Sequence, residues 1–138
     1  MDNVKVLFRS RAGGVEFRKL YDGKMSVDGE KTSVTYEECD ENGLTVTEVK
    51  IIKNELVTVE RKGLFSNYLE FHVNYAYSGE YLTPYGKVPV EVFTRKMGIE
   101  YNGKYPTVSV EYKSALAGDE TESSFYLTVK ENKENEEE

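Results

Sequence analysis

Short runs in which an apolar residue occupies every second position recur along the whole chain of 138 residues. Val34 and Tyr36 share one such run, and the stretch Val88–Val92 carries valine at three alternate positions. Side chains of a β-strand point alternately to opposite faces, so this period of two predicts half-buried strands. No apolar run shows the spacing of three and four residues for long enough to predict a helix. The pattern predicts an all-β protein of about ten short strands.

Glycine-containing turns separate these runs and predict how the strands connect. Asn42-Gly43 and Asn102-Gly103 are strong hairpin signals, because glycine adopts positive φ at little cost. Strands joined by tight turns pair with their neighbours in the chain, which favours an up-and-down order over a Greek key. Closing such a sheet removes its exposed edges. We therefore expect a single antiparallel up-and-down β-barrel of about 8–10 strands.

The stretch Thr83–Thr94 joins a turn to a strand and lies near the centre of this pattern. Gly86 is interpreted as a turn residue that needs an unusual φ angle. Elsewhere the alternation is less regular: Asp22-Gly23 predicts a bulge or bend rather than the end of a strand, and a bulge is predicted near Glu48. The segment Tyr68–Tyr77 is predicted to form one regular strand, followed by a turn at Ser78-Gly79.

Charge and composition indicate one domain, residues 1–130, followed by an acidic tail at 131–138 that we expect to be disordered. The tail holds five Glu and one Lys, a net charge of −4, so the remaining residues carry −3 of the formal −7. Basic residues of the domain are interleaved with acids in the sequence, which argues against nucleic acid as a partner. A charged terminal run is usually a solubilising extension.

Cysteine and histidine are scarce, which limits the chemistry available to the chain. Cys39 is the only cysteine and His72 the only histidine, so a disulfide within the chain and a metal site of several imidazoles are excluded. The sequence contains no phosphate-binding glycine loop and no nucleophile elbow, so no cofactor and no catalytic residue is predicted. A single cysteine, the lack of a leader pattern and the lack of a run of about 20 apolar residues predict a cytoplasmic protein with no membrane partner.

Polar residues at the core-facing parity of predicted strands form the one candidate site. Tyr36 and Glu38 follow Val34, Arg61 follows two alternating valines, and Thr94 continues the valine series after the Tyr85 turn. If the valines point inward, these side chains meet near one mouth of the barrel. Two interpretations are open: a buried Glu38–Arg61 ion pair that fixes strand register, or a pocket that orients a small anionic or polar ligand.

Three segments together resemble the YwiB-like family of small bacterial proteins of unknown function. They are Thr35-Tyr36-Glu37-Glu38, Arg61-Lys62-Gly63, and Thr83-Pro84-Tyr85-Gly86 with the valine-rich strand that follows. The resemblance covers about Val4 to Lys130 and implies a calycin-type β-barrel, the architecture of lipocalins. It implies an internal cavity and brings no catalytic residues.

These observations favour a non-enzymatic module, monomeric or homodimeric, that binds a small-molecule ligand in its barrel. The tentative ligand-binding residues are Tyr36, Glu38, Arg61, Tyr85 and Thr94. The alternative is a protein-interaction or regulatory module that uses exposed tyrosines and the acidic tail.

Overall fold

A computed structural model describes residues 1–132 of the chain, and these residues form ten β-strands in a single sheet. The strands are β1 (Asp2–Ala12), β2 (Val15–Asp28), β3 (Lys31–Asp40), β4 (Gly43–Ile52), β5 (Leu56–Lys62), β6 (Asn67–Phe71), β7 (Ala76–Thr83), β8 (Gly86–Asn102), β9 (Tyr105–Leu116) and β10 (Asp119–Glu131). No helix occurs within the part of the chain that the structure describes. The all-β prediction is confirmed.

The sheet is an up-and-down meander that curls into a nearly closed barrel. Its strand order is β6-β5-β4-β3-β2-β1-β10-β9-β8-β7, and the register pairs given for these neighbours are antiparallel. Because β10 pairs with β1, the seam of the barrel lies between β6 and β7 rather than at the chain ends. Two backbone hydrogen bonds between Ser66 and Leu82, of 2.8 and 2.9 Å, bridge this seam. The predicted antiparallel up-and-down barrel is confirmed.

Alternation along the strands builds the interior of the barrel. In β8 the side chains of Val90, Val92 and Thr94 are buried, and the residues between them are exposed. Every strand except β7 contributes at least one fully or largely buried hydrophobic side chain to one core cluster. These side chains are Val4, Val6, Tyr21, Met25, Val34, Tyr36, Val49, Ile51, Val57, Phe71, Val90, Val92, Val108, Val110, Phe125, Leu127 and Val129.

No bulge forms at Gly23 or Glu48, so the bulge predictions are wrong, while β2 continues through Asp22-Gly23 as expected. The β1–β2 pairing runs through Gly23 and the β3–β4 pairing runs through Glu48, in both cases without a register shift. Gly23 serves a close approach instead, since a Cβ there would lie 2.8 Å from the carbonyl oxygen of Thr35. In β4 the apparent change of parity arises because Thr47 points inward and is buried, whereas Leu44 is half exposed.

The single strand expected over Tyr68–Tyr77 is also wrong. Strand β6 ends at Phe71, and a turn closed by the Tyr75 amide donating to the His72 carbonyl at 3.0 Å follows it. Asn74 has a φ of 61°, a left-handed conformation that asparagine tolerates better than most residues. Strand β7 then continues without a break through Gly79, where a turn was expected.

The hairpin between β7 and β8 has the predicted turn. Gly86 has a φ of 131°, and the Thr83 hydroxyl donates to its carbonyl at 2.9 Å while accepting the Tyr85 amide at 3.1 Å. The pairing of the long strand β8 with β9 shifts register between Thr94 and Lys96. Near the C-terminus, β10 extends to Glu131. The tail was predicted over residues 131–138, and residues 133–138 of it lie outside the described residues.

Among residues 1–132 no helix has the length and apolar character needed to cross a membrane.

Candidate functional site

A cavity of about 400 Å³ lies at the barrel end that carries the β1–β2, β3–β4, β5–β6 and β9–β10 connections. Its apolar walls come from side chains that alternation places inside the barrel. Its polar groups come from the last inward positions before each turn. The apolar part is lined by Phe8, Ala12, Phe17, Val49, Val59, Leu69, Phe71, Phe125 and Leu127, and the polar part by Ser10, Arg11, Tyr21, Tyr36, Glu38, Arg61, Asn67 and Tyr112.

Arg61 lies at the end of β5, two positions after Val59; its side chain is exposed at the mouth of the cavity, and it pairs in register with Thr47 on β4 and Asn67 on β6. Burial raises the pKa of both Tyr36 and Tyr112, and the positive charge of Arg61 opposes part of this rise in each. No carboxylate within 4 Å of this guanidinium occurs among residues 1–132. The charge of Arg61 therefore acts on the hydroxyls of Tyr36 and Tyr112 rather than on a carboxylate within 4 Å.

Tyr36 is almost fully buried, with 4% of its surface exposed. Burial raises the pKa of its hydroxyl, because an apolar environment disfavours the phenolate. The Arg61 charge and hydrogen bonds from Thr47 and Arg61 oppose this rise without cancelling it. Burial likewise raises the pKa of Tyr112. These hydroxyls are protonated at neutral pH and can donate hydrogen bonds.

Glu38 does not take the expected partner. Its carboxylate accepts hydrogen bonds from Lys19 Nζ and from the Tyr21 hydroxyl, both at 3.1 Å. The predicted Glu38–Arg61 ion pair is not among the ion pairs of the described residues. Both residues line the one cavity, as predicted. The partner predicted for Glu38 is wrong, because Glu38 pairs with Lys19 and not with Arg61.

Three further residues that line the cavity were not predicted from the sequence: Tyr21, Asn67 and Tyr112. Asn67 is the first residue of β6, and its Oδ1 atom is buried without a hydrogen-bond partner among the described residues. An unpartnered buried acceptor is costly, since it has given up its water. The usable signal was the short connection from Lys62 to Asn67, which forces β5 and β6 to pair and places Asn67 opposite Arg61.

Tyr85 and Thr94, the other two predicted site residues, lie away from the cavity walls. Tyr85 is 95% exposed at the tip of the β7–β8 hairpin, which projects from the same end of the barrel. Thr94 is fully buried in β8, and its hydroxyl has no hydrogen-bond partner among residues 1–132. The structure thus brings together Tyr36, Glu38 and Arg61 of the five.

Comparison with known proteins identifies the family. A family described as a domain of unknown function (DUF1934) matches residues 9–129. The chain belongs to this family. The crystal structure of the ywiB protein from Bacillus subtilis is similar to this DUF1934 chain, with a TM-score of 0.79 and 18% sequence identity over 95% of this chain and 92% of that one. The expected YwiB-like membership is confirmed, and the structural match shows the fold. A comparison with curated proteins gave no match.

Other reactive groups of the DUF1934 chain lie outside this cavity. His72 is exposed in the turn after β6, and Cys39 is exposed near the end of β3. Among residues 1–132 no three His, Cys, Asp or Glu side chains are grouped so as to hold a metal ion. The cavity of the DUF1934 chain therefore offers two cations, Arg11 paired with Glu16 and Arg61 without a carboxylate within 4 Å among residues 1–132, together with several neutral hydroxyls and one free amide oxygen above an apolar floor.

Proposed function

We propose that this barrel is a binding module for a small amphipathic anion. The apolar part of the ligand packs against the floor of the cavity, and its anionic group contacts Arg61. One observation carries the proposal: Arg61 lines an apolar cavity and has no carboxylate partner within the described chain. A cavity of about 400 Å³ falls within the range of about 300–1,000 Å³ typical of small-molecule sites.

The chemistry of the rim favours an anion over a cation. Arg61 presents a planar fork that forms two parallel hydrogen bonds with a carboxylate, sulfonate or phosphate group. The protonated hydroxyl of Tyr36 lies beside it as a further donor. The one carboxylate of the rim, Glu38, is already paired with Lys19 and attracts a cationic ligand only weakly. Asn67 Oδ1 can accept a hydrogen bond from a ligand hydroxyl or amide.

The same groups support binding rather than catalysis. The tyrosines have raised pKa values and are poor bases at neutral pH. The single histidine, His72, is not among the residues that line the cavity. No residue pair of the rim forms a nucleophile with an adjacent base.

A matched pair of dyes tests the proposal. Anilinonaphthalene sulfonate is an amphipathic anion, and N-phenylnaphthylamine is its uncharged analogue. We expect Arg61→Gln to weaken binding of the anionic dye about tenfold or more and to leave the uncharged dye unchanged, because only the anion uses the guanidinium. Fluorescence titration measures both dissociation constants. Native mass spectrometry of protein isolated from its own host then seeks the natural ligand.

Lys62→Gln is the control, since Lys62 is the next residue of β5 and exposed, and removes the same charge outside the barrel. Equal weakening of the anionic dye by Lys62→Gln and Arg61→Gln would show that general charge, not the cavity, determines binding. Failure of either dye to bind the wild-type protein would also contradict the proposal.

A protein-interaction role is the second candidate, favoured by the position of Tyr85. A tyrosine side chain 95% exposed at a hairpin tip offers an amphipathic contact to a partner protein. A partner that is lost on Tyr85→Ser, and retained on Arg61→Gln, would support this role. Removal of residues 133–138 tests the acidic tail separately.

A further inference from the structure

The outer face of the barrel carries a second groove, which shares Ser10, Arg11, Phe17 and Phe125 with the lining of the cavity but also includes residues that the cavity lacks. Its volume is about 570 Å³, and it crosses β2, β1, β10, β9 and β8. Strand register places one row of residues along it. The row runs Arg18, Arg9, Tyr126, Ser109 and Gly98, each opposite the next across neighbouring strands. We call this feature the outer groove.

Small side chains make the floor of the outer groove, and long cations flank it. Gly98 has no side chain, and a Cβ there would lie 3.0 Å from Ser109 Oγ. Ser109 points outward because Val108 and Val110 on either side of it are buried. Lys96 stands at one side of this floor, two residues before Gly98 on β8. The groove thus follows directly from the choice of residues at outward positions.

Two arginines face each other at the other side of the groove. Arg9 and Arg18 are directly opposite on β1 and β2, and like charges in that position destabilise a strand pair. The Arg9 guanidinium lies 4.7 Å from the ring centroid of Tyr126, and Arg18 makes no side-chain hydrogen bond, ion pair or ring contact within residues 1–132. Neither arginine has a carboxylate within 4 Å in the part of the chain described here. Arg11, by contrast, is paired with Glu16.

The concentration of positive charge is local, because the chain as a whole carries a formal charge of −7. In the sequence these cations are interleaved with acids, but folding brings Arg9, Arg18 and Lys96 to one surface. An anion bound between the two arginines would relieve their repulsion and gain charge-assisted hydrogen bonds from both. Hydroxyl groups on the floor, such as that of Ser109, supply further donors.

We propose that the outer groove binds the phosphate group of a small phosphorylated molecule, with Arg9 and Arg18 as its principal ligands. A small ligand fits better than a nucleic acid, because Glu16 and Glu111 also line the groove and would meet an extended polyanion. The volume of the groove is likewise that of a small-molecule site. The assignment is independent of the ligand proposed for the barrel cavity.

Pyrophosphate is the probe that tests this site. Its titration into ¹⁵N-labelled protein, against sodium chloride of equal ionic strength, is followed by amide shifts in ¹H–¹⁵N spectra. We expect saturable shifts at Arg9, Arg18 and Ser109, and a dissociation constant raised about tenfold in Arg18→Gln. The Arg18 side chain makes no hydrogen bond, ion pair or ring contact within residues 1–132, so its substitution is expected to leave the fold intact.

Arg95→Gln is the matched control, because Arg95 is an exposed arginine paired with Glu122 and does not line the groove. It should retain wild-type affinity for pyrophosphate. Shifts no larger than those caused by chloride, or equal affinity in wild type and Arg18→Gln, would overturn the proposal. Shifts centred on Arg61 would assign the anion to the barrel cavity instead. Tighter binding of a single-stranded oligonucleotide than of a mononucleotide would overturn the choice of a small ligand.

Discussion

The phenol rings of Tyr21 and Tyr36 stack on one another, with centroids 4.4 Å apart and planes inclined by 25°. Tyr21 comes from β2 and Tyr36 from β3, so the stack joins two strands at the mouth of the barrel. The Tyr21 hydroxyl donates to Glu38 at 3.1 Å. This arrangement holds the carboxylate at the Tyr21 side of the mouth and leaves Arg61 without an acidic partner among the described residues. The bonds from Tyr21 and Lys19 therefore engage the carboxylate of Glu38 and leave the guanidinium of Arg61 free to contact a ligand.

Tyr21→Phe tests the contribution of that hydroxyl, because it removes the hydrogen bond to Glu38 and keeps the ring. Glu38 is partly exposed, and water can replace part of the hydrogen bond, so we expect the free energy of unfolding to fall by only about 1 kcal/mol. Urea denaturation measures the change. Tyr85→Phe is the control, since the Tyr85 side chain is 95% exposed and its loss of a hydroxyl should change nothing. A Tyr21→Phe variant as stable as wild type would show that the bond contributes nothing.

Buried tyrosines predict a loss of stability at alkaline pH. Burial raises the pKa of Tyr36 in the folded protein, whereas in the unfolded chain the phenol ionises near its ordinary pKa of about 10. Above that pH the unfolded state has released a proton that the folded state keeps, so stability falls as pH rises. The expected slope is about 1.4 kcal/mol per pH unit for each such tyrosine. Below about pH 10 this contribution does not vary.

Chemical denaturation between about pH 8 and 11 measures this decline. Tyr36→Phe removes one ionising group, so its stability should fall less steeply above pH 10 than that of wild type. Tyr85→Phe should retain the wild-type slope, because the Tyr85 side chain is exposed in the folded protein. Parallel curves for wild type and Tyr36→Phe would contradict the assignment.

Much of the fold could be predicted because the decisive signals are local. Val90 and Val92 alternate with exposed residues, and the turn at Gly86 has the positive φ that its position requires. The wrong predictions concern residues whose environment depends on the neighbouring strand. Thr47 shares the buried face of β4 with Val49 and Ile51 and lies opposite Tyr36 on β3, and a linear pattern cannot show that partner. Gly23 is small because Thr35 approaches it, which is a property of pairing rather than of β2 alone.

The candidate site was predictable only in part, for the same reason. Parity placed Tyr36, Glu38 and Arg61 inward, and they do line one cavity. Parity could not show that Asn67 lies opposite Arg61, because that depends on the β5–β6 register. Tyr85 was assigned to the cavity from its position near the same mouth, yet a hairpin tip extends beyond the wall and leaves its side chain in solvent.

Gly86→Val tests the β7–β8 turn. A φ of 131° is a conformation that residues with a Cβ rarely adopt, although nothing lies within 4 Å of the position a Cβ would occupy. The cost is therefore backbone strain alone, about 1–3 kcal/mol, and the melting temperature should fall. Lys87→Val introduces the same side chain one residue later, within β8, and should cost less. An unchanged melting temperature for Gly86→Val would show that the turn is formed differently.

Two buried threonines predict opposite effects of the same substitution. Thr94 is fully buried and its hydroxyl has no partner among residues 1–132, so Thr94→Val removes an unsatisfied polar group at nearly constant shape. We expect the free energy of unfolding to rise by about 1 kcal/mol. Thr47 is also buried, but its hydroxyl bonds Tyr36, so Thr47→Val should lower the free energy of unfolding by about 1 kcal/mol.

Urea denaturation of both variants makes each the control of the other. If Thr94→Val is the more destabilised of the two, its hydroxyl has a partner in solution and the assignment is wrong. Binding of the anionic dye should be unchanged by Thr94→Val, because Thr94 does not line the cavity.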